Sequence, residues 1–166
     1  MVSEGTTATV AAGMVTASLP FYLYGAWIMV GRDQDHVTWD RLVRHLRVIL
    51  PGLVLNTVPV VFWMAPRLLD QFGCVAALHA FLGLQAYALL AFGLTGIVRI
   101  FQVKRNADIY ELEDPETNLN DLHENMAAWR GRLRIGVFGD ALFWGVAYVV
   151  GLYRYYWLDI ASSGKA

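Results

Sequence analysis

Hydrophobic and polar positions along this chain segregate into long blocks instead of alternating. From Val75 to Val98 the sequence carries no charge. Similar apolar runs cover roughly 7–31, 46–66 and 135–157, with the charges gathered between them. Each run can supply about 20 residues, enough for a helix to cross a hydrocarbon core of about 30 Å. Backbone groups in lipid must pair within their own segment, so helices are expected. Strand-like alternation over ten-residue segments is absent, which argues against a barrel. The pattern therefore predicts an all-α integral membrane four-helix bundle, a single domain over residues 1–166, with spans at about 7–31, 46–66, 74–98 and 135–157. The first span is the least apolar, holding Thr6, Thr7, Thr9, Thr16 and Ser18.

Helical spacing sorts the polar and small residues of each span onto one face. In the second span, His45, Gly52, Asn56, Pro59 and Trp63 fall on one stripe. His79, Gly83, Ala86, Leu90 and Gly93 do so in the third, and Gly136, Asp140, Ala147, Gly151 and Arg154 in the fourth. Thr16, Pro20, Tyr24 and Trp27 form the matching stripe of the first. Such stripes are expected to face protein, because small residues let helices approach and amides bond across them. Asn56, Gln85 and Asp140 are the intramembrane polar residues. An ionised Asp140 needs a partner there, with Arg44, Arg47 and Arg134 as candidates. A proton-handling carboxylate is the alternative reading.

Composition agrees with a membrane protein. The chain is 57% hydrophobic, with mean hydropathy +0.42, too apolar for an ordinary soluble domain. A net charge of −1 points to no nucleic-acid partner, and membrane lipid is the partner expected. Basic residues collect in the first connection (Arg32, Arg41, Arg44, Arg47) and the third (Arg99, Lys104, Arg105, Arg130, Arg132, Arg134). The second connection has only Arg67. The positive-inside rule then predicts a multi-pass cell-membrane protein with both termini extracytoplasmic. The start, MVSEGTT, has no basic segment, so a cleaved signal peptide is not expected. The aromatic run YRYYW at 153–157 fits an outer interfacial belt. The cytoplasmic connection 99–134 contains Asp114-Pro115, a helix-start signal, followed by Leu119, Leu122, Met126, Trp129 and Leu133 at helical spacing. An amphipathic helix over 115–130 is predicted at the inner interface.

Candidate chemistry rests on histidines. No G-x-S-x-G, P-loop, H-E-x-x-H or C-x-x-C is present, so no enzymatic role is expected. Cys74 is the single cysteine, which excludes an intramolecular disulfide. His36, His45 and His123 fall on the inner side and are candidate haem ligands. His79 falls near the outer side with Cys74 and Met64; imidazole, thiol and thioether together suit Cu(I). At 1.5 Å per residue His45 and His79 lie roughly 20 Å or more apart in depth and cannot share one iron.

Three motifs in order carry a resemblance. The second span opens with RHLRVIL at 44–50, the third with HAFL at 79–82, and the last holds Trp144, Gly151 and Tyr155 as W-x6-G-x3-Y. Over about residues 40–157 the chain resembles the CtaM-like family of small four-helix membrane proteins. That resemblance implies a non-enzymatic accessory role in maturation of a respiratory haem–copper oxidase, with His45 and His79 at matching positions. The family's histidine at the basic start of its last span is replaced here by WRGRLR, and His123 lies earlier. Haem, or less favourably copper, is the cofactor to test, and an oxidase complex or a second copy of the chain the protein partner. Two alternatives are a small b-type cytochrome for membrane electron transfer and a non-catalytic structural subunit of a membrane complex.

Overall fold

The computed structural model describes residues 4–30, 38–67, 73–106 and 123–160. They form four long helices: α1 (Glu4–Val30), α2 (Trp39–Pro59), α3 (Cys74–Asn106) and α4 (Met126–Arg154). Just after Pro59, α2 widens into a π-helical turn, Val60–Met64, and ends in the 3₁₀ turn Ala65–Arg67. A proline inside a helix removes one backbone bond and crowds the preceding turn, which favours such a change of pitch. α4 likewise continues as a π-helical segment, Tyr155–Ile160. Thr38 caps α2, its hydroxyl accepting from the Arg41 backbone N–H at 3.4 Å.

Neighbouring helices run antiparallel. One end of the bundle gathers the C-terminus of α1, the start of α2, the C-terminus of α3 and the start of α4; we call it the loop end. The opposite end, with the start of α1 and the last turns of α4, is the terminus end. α1 packs closely on α2, and α3 on α4, along most of their lengths. The two resulting hairpins meet chiefly through long side chains.

Glycine sets the approach within each hairpin. A methyl placed on Gly136 of α4 would stand 2.6 Å from the Gly93 backbone N and 2.7 Å from the Leu89 carbonyl oxygen of α3. One on Gly96 would stand 2.5 Å from the Trp129 carbonyl oxygen. In the other hairpin, one on Gly52 of α2 would stand 2.8 Å from Phe21 Cβ. Without a hydrophobic driving force in lipid, such close backbone packing is a main source of helix association.

The fully buried large side chains Leu42, Ile100 and Met126 cluster at the loop end, backed by Trp39, Leu46 and Trp129. Elsewhere the outward surface is apolar: Trp27 is 76%, Phe62 77% and Phe138 74% exposed. A surface so apolar suits lipid, not water. Trp39–Met64, Cys74–Val103 and Met126–Trp157 are long and apolar enough to cross a membrane. α1 has comparable length, 27 residues, and carries several small hydroxylated residues among its apolar ones.

Three expectations are corrected in detail. The inward face of α1 is Ala8, Ala11, Ser18 and Gly25, not the stripe with Tyr24 and Trp27, which are exposed. Small residues win the contact face here, and the large amphipathic rings remain outside. Gly83 lies on the expected side of α3, yet nothing stands within 4 Å of a methyl placed there. Of the amphipathic helix expected over 115–130, residues 115–122 lie outside the described residues, 123–125 form a turn, and 126–130 are the first residues of α4. The helices run past the apolar limits at the loop end: α2 begins at Trp39, α3 reaches Asn106 and α4 begins at Met126.

Candidate functional site

The predicted face of α2 is the buried one: Leu42, His45, Gly52, Asn56 and Pro59 are buried. Asn56, at mid-helix, ties the two hairpins together. Its amide donates to the Tyr87 hydroxyl on α3 at 3.3 Å, and its carbonyl oxygen accepts from the Trp144 indole N–H on α4 at 3.0 Å. Tyr87 passes its own hydrogen to Thr57 at 3.2 Å. Trp144 stacks on Tyr148, with ring centroids 5.4 Å apart, and meets the Tyr22 ring edge-on at 5.3 Å. Tyr148 and Thr16 share a hydrogen bond of 3.0 Å, and Tyr155 and Thr9 one of 2.9 Å, both joining α4 to α1. Each helix contributes. In a membrane, partners for such groups must come from the protein, which is why they sit where the hairpins face each other.

Asp140 lies one turn before Trp144 on α4 and is half-buried. The arginines considered as its partners lie elsewhere: Arg44 pairs with Asp40 at 2.7 Å, and Arg47 and Arg134 are exposed at the loop end. Among the described residues, the Asp140 carboxylate has no hydrogen bond or ion pair. Gln85, two residues before Tyr87, is half-buried.

The histidines have separate environments, and an elementary count of lone pairs distinguishes them. A neutral imidazole has one proton and one lone pair on its two ring nitrogens. A backbone carbonyl only accepts, so the 2.8 Å contact between His45 Nδ1 and the Gly25 oxygen fixes the proton on Nδ1. Nε2 then keeps its lone pair, as in imidazoles that ligate metals. His79 differs. Arginine only donates, so the contact from Arg154 to His79 Nδ1 at 3.2 Å uses the lone pair. The ring of His79 lies over Gly151, with Nε2 3.0 Å from where a methyl on that glycine would be. His123 is similar: its Nδ1 accepts from the Asn125 backbone N–H at 3.0 Å, and its ring stacks on Trp129. In these neutral forms His79 and His123 have no lone pair left for a metal.

His45 and His79 remain at different depths. Trp39 of α2 packs on Phe101 of α3, ring centroids 4.8 Å apart, so His45 lies level with about residue 95 of α3. His79 is then roughly 24 Å further along. Cys74 is exposed at the start of α3, and Met64 is half-buried at the end of the π-helical turn. Among the described residues no group of three or more His, Cys, Asp or Glu is placed to hold a metal ion. His36 lies outside the described residues. The mid-depth Asn56–Trp144–Tyr87 network was not anticipated as a unit. Its signal was one polar residue per span near mid-depth, but the aromatic partners looked like ordinary packing.

No curated protein and no solved structure matches the chain. A family model described as a domain of unknown function, DUF7321, matches residues 4–159. The match takes in all four helices, and the chain belongs to that DUF7321 family.

Proposed function

We propose that this chain is a non-catalytic, four-span accessory protein of the cell membrane that assists assembly of a respiratory haem–copper oxidase, with both termini extracytoplasmic. The process comes from the resemblance in RHLRVIL, HAFL and the Trp144–Gly151–Tyr155 spacing. The observation that carries a role for a specific residue is His45: its Nδ1–H is committed to Gly25, and its Nε2 lone pair is left to accept a contact. His45 is thus the residue that would hold a haem iron from one side, or accept a hydrogen bond from a partner subunit. When bound, haem would supply only its iron's affinity for that lone pair. The b-type cytochrome needs a second axial ligand at the same depth; His123 has its lone pair engaged, and His36 lies outside the described residues. The copper reading needs lone pairs on His79, where Arg154 occupies the acceptor position.

The test is removal of the protein from its native membrane, followed by return of wild type, His45→Ala or His45→Gln. Assembled oxidase, measured by its reduced-minus-oxidised spectrum and its activity, is expected to fall on removal and recover with wild type. It should recover poorly with His45→Ala. Unchanged oxidase after removal would overturn the assembly reading. The purified protein should be examined oxidised and dithionite-reduced, with metal analysis on the same sample. A Soret band that is lost in His45→Ala would assign haem to His45, whereas a colourless, metal-free protein would leave a partner contact.

A further inference from the structure

The two hairpins are dense inside and sparse between. Glycines hold α1 to α2 and α3 to α4 at backbone contact, but the hairpins meet each other mainly through the side-chain bonds around Asn56 and along α1 and α4. At the loop end the space between them is filled by Leu42, Ile100 and Met126. At mid-depth it is not filled in that way. On the helical wheel of α4, Asp140 lies about 40° from Gly136, which touches α3, and about 40° from Trp144, which reaches α1 and α2. Asp140 therefore points towards the bundle's centre. Yet Asp140, Tyr22, Tyr87 and Trp144 are each only half-buried. These four side chains lie on the seam between the hairpins at mid-depth.

Its polar atoms are unevenly satisfied. Asn56, Tyr87 and the Trp144 indole bond one another. The Asp140 carboxylate and the Tyr22 hydroxyl have no hydrogen-bond partner among the described residues. The Asp140 carboxylate and the Tyr22 hydroxyl thus stand unpartnered beside the Trp144 and Tyr22 rings, which meet edge-on. A carboxylate at membrane depth calls for a positive partner, and aromatic faces attract organic cations. No basic side chain of the described residues lies at this level of α4: Arg134 is at the loop end and Arg154 at the terminus end, on His79.

We propose that the seam between the two hairpins is a binding site for a small organic ammonium ion, with Asp140 as its counter-ion, Tyr22 as a hydrogen-bond acceptor and the Trp144 ring as its wall. The site is independent of His45. Asn56 and Tyr87 fix the wall in place and make no claim on the ligand.

The test uses the full chain purified in detergent, with benzylamine as the probe and benzyl alcohol as the neutral analogue of similar shape. Binding is followed by calorimetry and by the change in Trp fluorescence. Saturable benzylamine binding is expected, at least about tenfold tighter than benzyl alcohol. Asp140→Asn should abolish that preference. Asp140 makes no internal bond, so this variant is expected to fold, as judged by its helical circular dichroism. If Asp140→Asn does not fold, Tyr22→Phe replaces it and should weaken benzylamine several-fold while leaving benzyl alcohol unchanged. Equal binding of amine and alcohol, absent saturation with benzylamine, or an undiminished preference in a folded variant would overturn the proposal.

Discussion

Changing Gly136 to alanine tests whether α3 and α4 touch backbone to backbone. The added methyl would stand 2.6 Å from Gly93 N and 2.7 Å from Leu89 O, and real Cβ contacts are not found below 3.0 Å. The obstacles are backbone atoms, so neither can rotate away. Restoring an ordinary separation requires the helices to part by roughly 0.5–1 Å, and a gap of that size forfeits a quarter to a half of each dispersion contact it opens. Overpacking of this kind typically destabilises by about 1–3 kcal/mol. Alanine also gains about 1 kcal/mol of helix propensity over glycine, which obscures the effect in a single variant. Gly145→Ala supplies the reference: same helix, same propensity gain, and nothing within 4 Å of the new methyl. The Gly136 variant should therefore be less stable than the Gly145 variant by about 1–3 kcal/mol. Equilibrium unfolding in mixed dodecylmaltoside–SDS micelles, followed by circular dichroism, measures that difference. Equal stability of the two variants would refute the close approach and with it the density of the α3–α4 hairpin.

Other outcomes follow from the same geometry. Replacing Asn56 by leucine leaves the Trp144 indole N–H without its acceptor, and a double-mutant cycle of Asn56→Leu with Trp144→Phe should give a coupling of about 0.6–1.7 kcal/mol, the scale of interhelical hydrogen bonds in membranes. A coupling near zero would remove that bond from the account. His45→Phe should destabilise by about 1 kcal/mol in the same unfolding assay, because the Gly25 carbonyl loses its donor, while His45→Asn keeps a donor and should lose less. Cys74, the single cysteine, is exposed at the terminus end, so in intact cells a membrane-impermeant maleimide should label it from outside. Protection in cells, with labelling only after lysis, would invert the orientation predicted from the arginines.

Much of the architecture could be read from the apolar runs, for a physical reason. Lipid forces each backbone to satisfy itself, so run length reports helices directly. The inward face of α2 was equally legible, because polar His45 and Asn56 and small Gly52 can only face protein. The same logic failed on α1. There the contact face is made by Ala8, Ala11, Ser18 and Gly25, and Thr16 of the predicted stripe reaches Tyr148 of α4 with its hydroxyl from the edge of that face. A helix in which small, hydroxylated and apolar residues are interspersed on every face carries little periodic signal to read. The histidines show a different limit. Sequence spacing could separate His45 from His79 in depth, but could not reveal that Arg154 lies one turn beyond Gly151 and occupies the His79 acceptor. Which nitrogen keeps its lone pair is decided by a neighbour on another helix.

The distribution of packing explains why function is sought between the hairpins and not within them. Backbone contact through Gly93, Gly96 and Gly136 leaves no room for a ligand between α3 and α4, and Gly52 against Phe21 does the same for α1 and α2. Hydrogen bonds between membrane helices contribute little individually, so a seam held by Asn56, Trp144 and Thr16 can open at a lower cost than a glycine interface can. Asp140 and Tyr22, whose oxygens have no internal partner among the described residues, lie on that seam. The hairpins are therefore the rigid parts of this fold, and the polar seam between them is where a bound molecule would be felt by all four helices at once.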